Sequence, residues 1–169
     1  QLIVVLGIGG VGKTTLAAAA VKAAALQFDV VIWRSLLNAP PLDELLRDVL
    51  QALSRQRLVD VPTRLDAQLA LLLDYARERR CLLVLDNMES ILDPDLPGQM
   101  RPGYAGYAQL IQSLAERRHQ SCLLLTSRER PQRMERWGND TSLVRTLPLA
   151  GIDAAAGQAM LTARGLAGA

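Results

Sequence analysis

The sequence predicts an α/β fold, and three observations carry that prediction. A short apolar segment, Leu2–Leu6, runs straight into a glycine-rich stretch and then into an alanine-rich one. Four further apolar runs of strand length, at 28–33, 81–85, 120–126 and 143–147, alternate with stretches whose leucines recur at helical spacing. At 169 residues and 50% hydrophobic composition, the chain suits one domain with a sizeable core.

The first strand, Leu2 to Leu6, precedes Gly7-Ile8-Gly9-Gly10-Val11-Gly12-Lys13-Thr14-Thr15, and a helix is expected from Leu16 to Leu26. Strand, glycine loop, Lys-Thr and helix in this order form the phosphate-binding loop of pattern G-x-x-x-x-G-K-[ST]. A loop poor in Cβ atoms can turn its N–H groups around phosphate oxygens, and the helix start adds partial positive charge. In this reading Gly7 through Thr15 bind the nucleotide. Lys13 reaches the outer phosphates, the Thr14 hydroxyl takes Mg²⁺, and Thr15 adds a bond to the innermost phosphate. Of 19 Lys and Arg residues only Lys13 and Lys22 are lysine, so a chain that otherwise uses arginine keeps a slim ammonium here.

After the second strand, 28–33, come Arg34 and Ser35; Arg34 is a candidate for phosphate or inter-subunit contact or a solvated strand-end residue. Pro40-Pro41 starts a helix with Leu42, Leu45, Leu46, Val49, Leu50 and Leu53 on one face. A polar loop to Thr63 precedes a second one-sided helix with Leu65, Leu69, Leu72, Leu73 and Ala76, closed by Arg77, Arg79 and Arg80. The third strand, Cys81–Leu85, delivers Asp86 at its carboxyl tip, the Walker B pattern, which places Asp86 on Mg²⁺ opposite Thr14. Asn87 can orient water but takes no proton, whereas Glu89 is a carboxylate in reach of a catalytic-base role or of a structural cap.

Residues 93–106, with Pro94, Pro97, Pro102 and three glycines, read as a long loop before a helix that ends near Arg118. The fourth strand ends in Thr126-Ser127-Arg128, and the Arg128 fork can sense a γ-phosphate or lie in a surface turn. A polar stretch at 132–141 holds Trp137, the fifth strand covers Leu143–Leu147, and Asp153 is set to cap a final helix from about Ala154 to Arg164.

A net charge of +2 spread over alternating signs, with 4% aromatics, argues against a nucleic-acid surface or stacking platform. The lone His119 excludes a histidine metal or catalytic cluster, and Cys81 and Cys122 read as buried free thiols of a reducing compartment. No stretch has membrane-span length or leader-like order, so a soluble, cytoplasmic protein is expected.

The glycine loop, Phe28-Asp29-Val30-Val31-Ile32-Trp33-Arg34, Leu82-Leu83-Val84-Leu85-Asp86-Asn87-Met88-Glu89 and Leu123-Leu124-Leu125-Thr126-Ser127-Arg128 together resemble the NB-ARC branch of the STAND signal-transduction ATPases. The likeness is to bacterial regulators that carry WD or tetratricopeptide repeats. It implies a P-loop NTPase three-layer sandwich, AAA+-like, with a five-stranded parallel sheet, helices on both faces, and the Arg128 strand between the Asp86 strand and the first. It divides the chain into a nucleotide-binding domain, 1–150, and the truncated start of an adjoining helical (ARC-like) segment, 151–169. The family's adenine-clasping segment and winged-helix part are expected to lie outside these residues.

The resemblance implies an ATP/ADP-dependent molecular switch with Mg²⁺, slow hydrolysis, and flanking helical, winged-helix and repeat domains as partners in a nucleotide-dependent homo-oligomer. Asn87 stands where the family usually has a second acidic residue, which speaks for slow turnover. Two other classes fit the loop: a scaffold that holds ADP without turnover, and a small-molecule kinase with 93–106 as its lid. The second suffers from a loop whose one basic residue is Arg101. A helicase shares the core motifs but draws no support from the charge pattern.

Overall fold

The computed structural model describes residues 1–58, 60–132, 144–151, 154–163 and 165. Strand β1 is Leu2–Leu6, helix α1 Lys13–Ala24, β2 Val30–Ser35, α2 Leu42–Leu53, α3 Leu65–Glu78, β3 Cys81–Asp86, α4 Ala105–Glu116, β4 Cys122–Ser127, β5 Val144–Pro148 and α5 Ala154–Ala163. The five strands form one parallel sheet in the order β2-β3-β4-β1-β5, so β4 lies between β3 and β1. The expectations for Trp137, for Leu143 at the start of β5 and for Asp153 as a cap lie outside the described residues.

The central strands β3 and β4 are buried on both faces, which explains their uninterrupted apolar runs. Alternation along each strand sends Leu2, Val4, Cys81, Leu83, Leu85, Leu123 and Leu125 to one side, where α2, α3 and α4 pack. Val5, Leu82, Val84, Cys122 and Leu124 go to the other, against Ala17 of α1. Cys81 and Cys122 therefore belong to opposite faces; both are buried free thiols, and burial raises the pKa of each.

The leucine stripe of α2 behaves as its spacing predicts: Leu45, Leu46, Val49, Leu50 and Leu53 are all buried. Truncating one of these leucines to alanine costs about 2–5 kcal/mol. Asp43 and Glu44 in its first turn favour the positive helix start.

Three helix starts differ from the sequence reading. Helix α2 begins at Leu42, with Pro41 as its N-cap rather than inside the first turn. Helix α1 begins at Lys13 rather than Leu16, because Gly12 takes a left-handed conformation (φ 99°) and its carbonyl accepts the Leu16 N–H at 2.8 Å. Helix α4 begins at Ala105, taking in Gly106. A Cβ there would lie 2.6 Å from Leu42 Cδ2, so the glycine serves close helix packing rather than a turn. Tertiary contact overrides local propensity at this position.

The segment before α4 is tied down throughout. Asp93 Oδ1 accepts from the Asp95 and Leu96 N–H groups, Arg101 donates to the Leu92 carbonyl, and Leu92 pairs with Met100. Tyr104 and Tyr107 stack with ring centroids 6.1 Å apart and donate to the Ala39 and Pro40 carbonyls. Burial holds the Tyr107 phenol well above its ordinary pKa, so it remains a donor. His119, just past α4, places Nε2 2.7 Å from the Leu114 carbonyl while Nδ1 accepts from Ser121 N, which assigns the neutral Nε2–H tautomer. No helix among the described residues is long and apolar enough to cross a membrane.

Candidate functional site

The site forms where β1, β3 and β4 end on the same sheet edge, the place where open α/β sheets bind ligands. The loop between β1 and α1 turns through left-handed Gly10 (φ 77°) and Gly12 (φ 99°), conformations that favour glycine. Gly7 serves close approach instead: a Cβ there would stand 2.7 Å from the Leu149 carbonyl, where the chain leaves β5. The Gly7 N–H donates to the Ser127 carbonyl at 3.2 Å, fastening the loop to β4.

Lys13, 6% exposed, donates from Nζ to the Gly7 and Ile8 carbonyls at 2.8 and 3.0 Å. A buried ammonium needs such acceptors, and here the loop's own backbone provides them.

Asp86, 4% exposed, is the hub of the strand tips. Thr14 Oγ1 donates to its two oxygens at 3.0 and 3.1 Å, and Thr126 Oγ1 donates to Oδ1. The same Thr126 hydroxyl accepts the Asn87 N–H at 3.0 Å. Asn87 is left-handed (φ 65°), and it swings the chain from β3 into a short 3₁₀ turn, Met88–Ile91. That turn carries Glu89, whose Oε1 lies 3.0 Å from Arg128 Nε. The Arg128 guanidinium stands over the glycine loop, its Cζ 3.4 Å from the position a Cβ on Gly9 would take.

Gly9, Gly10, Gly12, Lys13, Thr14, Thr15, Asn87, Glu89 and Arg128 line one open cleft of about 260 Å³. Residues named from three separate stretches of sequence thus share one cavity. Arg34 does not share it: two strands, β3 and β4, separate its strand from β1, and its Nε lies 3.8 Å from Asp48 of α2, in a separate polar cleft.

Thr126 is the residue that sequence reasoning passed over. It stood in the quoted Thr126-Ser127-Arg128 tip with no role of its own, yet it is fully buried and couples β4 to both Asp86 and Asn87. A polar residue next to last in a strand that is apolar up to that point was the available signal. Its partner could be known only from the order of the strands.

A phosphate-type glycine loop at the edge of a parallel 2-3-4-1-5 sheet defines a P-loop NTPase fold of the AAA+/ORC type. Residues 1–131 match the NB-ARC domain model, and the chain belongs to the NB-ARC domain family. An uncharacterized WD repeat-containing protein of Nostoc sp. is 42% identical to it, over 98% of this chain and 14% of the relative. Among solved structures, it is similar to the Aeropyrum pernix ORC2 protein, described as ADPNP-ADP complexes, with a TM-score of 0.60, 20% identity, and coverage of 99% of this chain and 46% of that one. It is also similar to Drosophila ORC bound to GC-rich DNA and Cdc6 (0.59, 15%, 89% and 50%). A third similar structure is the E. coli HORMA:CdnC:Trip13 complex (0.56, 18%, 96% and 52%). These identities speak to the fold alone. The chain spans about one seventh of the curated relative's length and about half of each structure. The chain is an NB-ARC nucleotide-binding domain.

Proposed function

We propose that this chain is the ATP/ADP-binding part of a STAND-type signalling ATPase, a slow-hydrolysing switch that controls oligomerisation of a larger protein. The observation that carries this reading is Arg128, poised over Gly9 and in the same cleft as Lys13, where an outermost phosphate would lie. The loop N–H groups, Lys13 and Thr15 hold the phosphates. One carboxylate and one hydroxyl, Asp86 and Thr14, fit Mg²⁺, which keeps several waters and takes phosphate oxygens rather than a protein-only cage. Bound there, Mg²⁺ would neutralise charge on the outer phosphates.

Arg128 distinguishes three phosphates from two, which is the differential affinity a switch requires. Glu89 is the carboxylate at hand to deprotonate water, and Asn87 orients it. The WD repeats in the relative's name suggest repeat domains as flanking partners, with residues 151–169 leading into the helical one. One observation favours the second reading, an ADP scaffold without turnover: the Glu89 carboxylate is already engaged by Arg128.

Calorimetric titration with Mg²⁺–ADP and with Mg²⁺ plus a non-hydrolysable ATP analogue tests the proposal. Lys13→Ala should weaken both nucleotides by about 100-fold, the loss of charge-assisted bonds totalling roughly 3 kcal/mol. Arg128→Ala should weaken the ATP analogue at least tenfold more than ADP. Unchanged ADP binding in the first variant, or equal losses in the second, would refute the assignment. Single-turnover hydrolysis by wild type separates the switch from the scaffold.

A further inference from the structure

Glu89 and Arg128 form an ion pair of unequal burial. The arginine side chain is 63% exposed, while the glutamate is only 14% exposed. Its Oε1 faces Arg128 Nε at 3.0 Å, and its Oε2 is buried with no hydrogen-bond partner among the described residues. Arg128 is its one ion-pair partner among those residues. A carboxylate removed from water with one oxygen unpaired depends on its single cation, and losing that cation leaves a buried charge uncompensated. The dependence runs one way, because an exposed guanidinium can be rehydrated. Arg128 meanwhile has a second place to go: its Nη2 lies 3.5 Å from where a Cβ on Gly9 would stand, over the phosphate loop.

We propose that Glu89 sets the preference between nucleoside diphosphate and triphosphate by competing with the third phosphate for Arg128. This rests on the reading of Arg128 as the residue that meets that phosphate. With a diphosphate bound, nothing draws Arg128 away and the ion pair persists. A triphosphate recruits the guanidinium only by taking it from Glu89, and it then faces a bare carboxylate across the same cleft. Both effects oppose the triphosphate and neither touches the diphosphate. Glu89 acts here as a specificity-determining residue, through Arg128, and the site is biased toward the diphosphate form until something outside the cleft tips it.

The test is titration of the chain, of Glu89→Gln and of Arg128→Ala with Mg²⁺–ADP and with Mg²⁺–adenylyl imidodiphosphate. Glutamine keeps the shape and removes the charge. The inference expects Glu89→Gln to bind the triphosphate analogue about tenfold more tightly, a change of ~1.4 kcal/mol, with ADP within about twofold of wild type. Glu89→Ala should shift the analogue-to-ADP ratio in the same direction, so a folding defect in one variant leaves the other to decide. If Glu89→Gln slows single-turnover hydrolysis but leaves the ratio where it stands, the carboxylate serves only as a base, and that result overturns the inference. If Arg128→Ala weakens both nucleotides equally, the proposed role of Arg128 falls as well. If Arg128→Ala is selective for the triphosphate while Glu89→Gln leaves the ratio unchanged or lowers it, only the competition is refuted.

Discussion

Replacing Thr126 by valine keeps the shape of a fully buried side chain and exchanges its hydroxyl for a methyl group. Two hydrogen bonds go with it: the one donated to Asp86 Oδ1 and the one accepted from Asn87 N at 3.0 Å. A bond to a charged group is worth about 1.5–3 kcal/mol, and a buried N–H left unpaired costs about 1–3 kcal/mol. Asp86 retains the Thr14 hydroxyl, which moderates the first loss. Because the swap leaves no cavity, these polar losses make up the effect, roughly 3 kcal/mol in all. For a domain of this size that lowers the melting temperature by about 6–12 °C. Urea and thermal unfolding followed by circular dichroism would measure it, and Thr126→Ser, which restores the hydroxyl, should recover most of the loss. A valine variant within about 1 kcal/mol of wild type, or a serine variant as unstable as valine, would refute the idea that this hydroxyl secures the strand tips.

Asp86→Ala should make nucleotide affinity nearly independent of Mg²⁺, since only the Thr14 hydroxyl of the two candidate ligands remains; titrations with Mg²⁺ and with EDTA that still differ by the wild-type factor would sink that assignment. Gly98→Ala introduces a Cβ at φ 75° and 2.5 Å from the Arg130 carbonyl. It should destabilise the chain by at least about 2 kcal/mol and open residues 93–104 to limited proteolysis, whereas wild-type cleavage rates would show that this contact does not hold the loop. His119 is held below its ordinary pKa chiefly by burial. The unfolded chain therefore binds a proton near pH 6.5 that the folded chain refuses, and stability is lost as pH falls from there through the folded value. Protonating Nδ1 would also set its N–H against that of Ser121. Urea midpoints at pH 7.5 and 5.5 should converge for His119→Gln relative to wild type; parallel pH slopes in the two proteins would contradict this.

The elements that could be read from the sequence are those whose cause is local. A strand, a glycine loop and a helix in succession announce the phosphate loop because their geometry is set within fifteen residues, and the leucine stripe of α2 maps directly onto its buried face. Boundaries were less legible where packing competes with propensity. Gly106 reads as a loop residue by composition, but it lies inside α4, where a Cβ would come within 2.6 Å of the Leu42 Cδ2 packed against it. Arg34 and Arg128 look alike on paper, each following an apolar strand, and only strand order separates them. Arg128 follows β4, beside β1, while Arg34 lies next to the end of an edge strand and turns toward Asp48.

The sequence by itself determined the class of site: its glycines, Lys13 and Thr14 lie in one contiguous loop, and Asp86 ends a run of apolar residues long enough to be a strand. Tertiary structure alone decided the company these residues keep. Parallel crossovers place β4 between β1 and β3, which brings Thr126 onto Asp86 and Arg128 onto Glu89 across separations of 40 and 39 residues. Such pairings depend on long-range strand order and on burial, which local chain geometry does not encode.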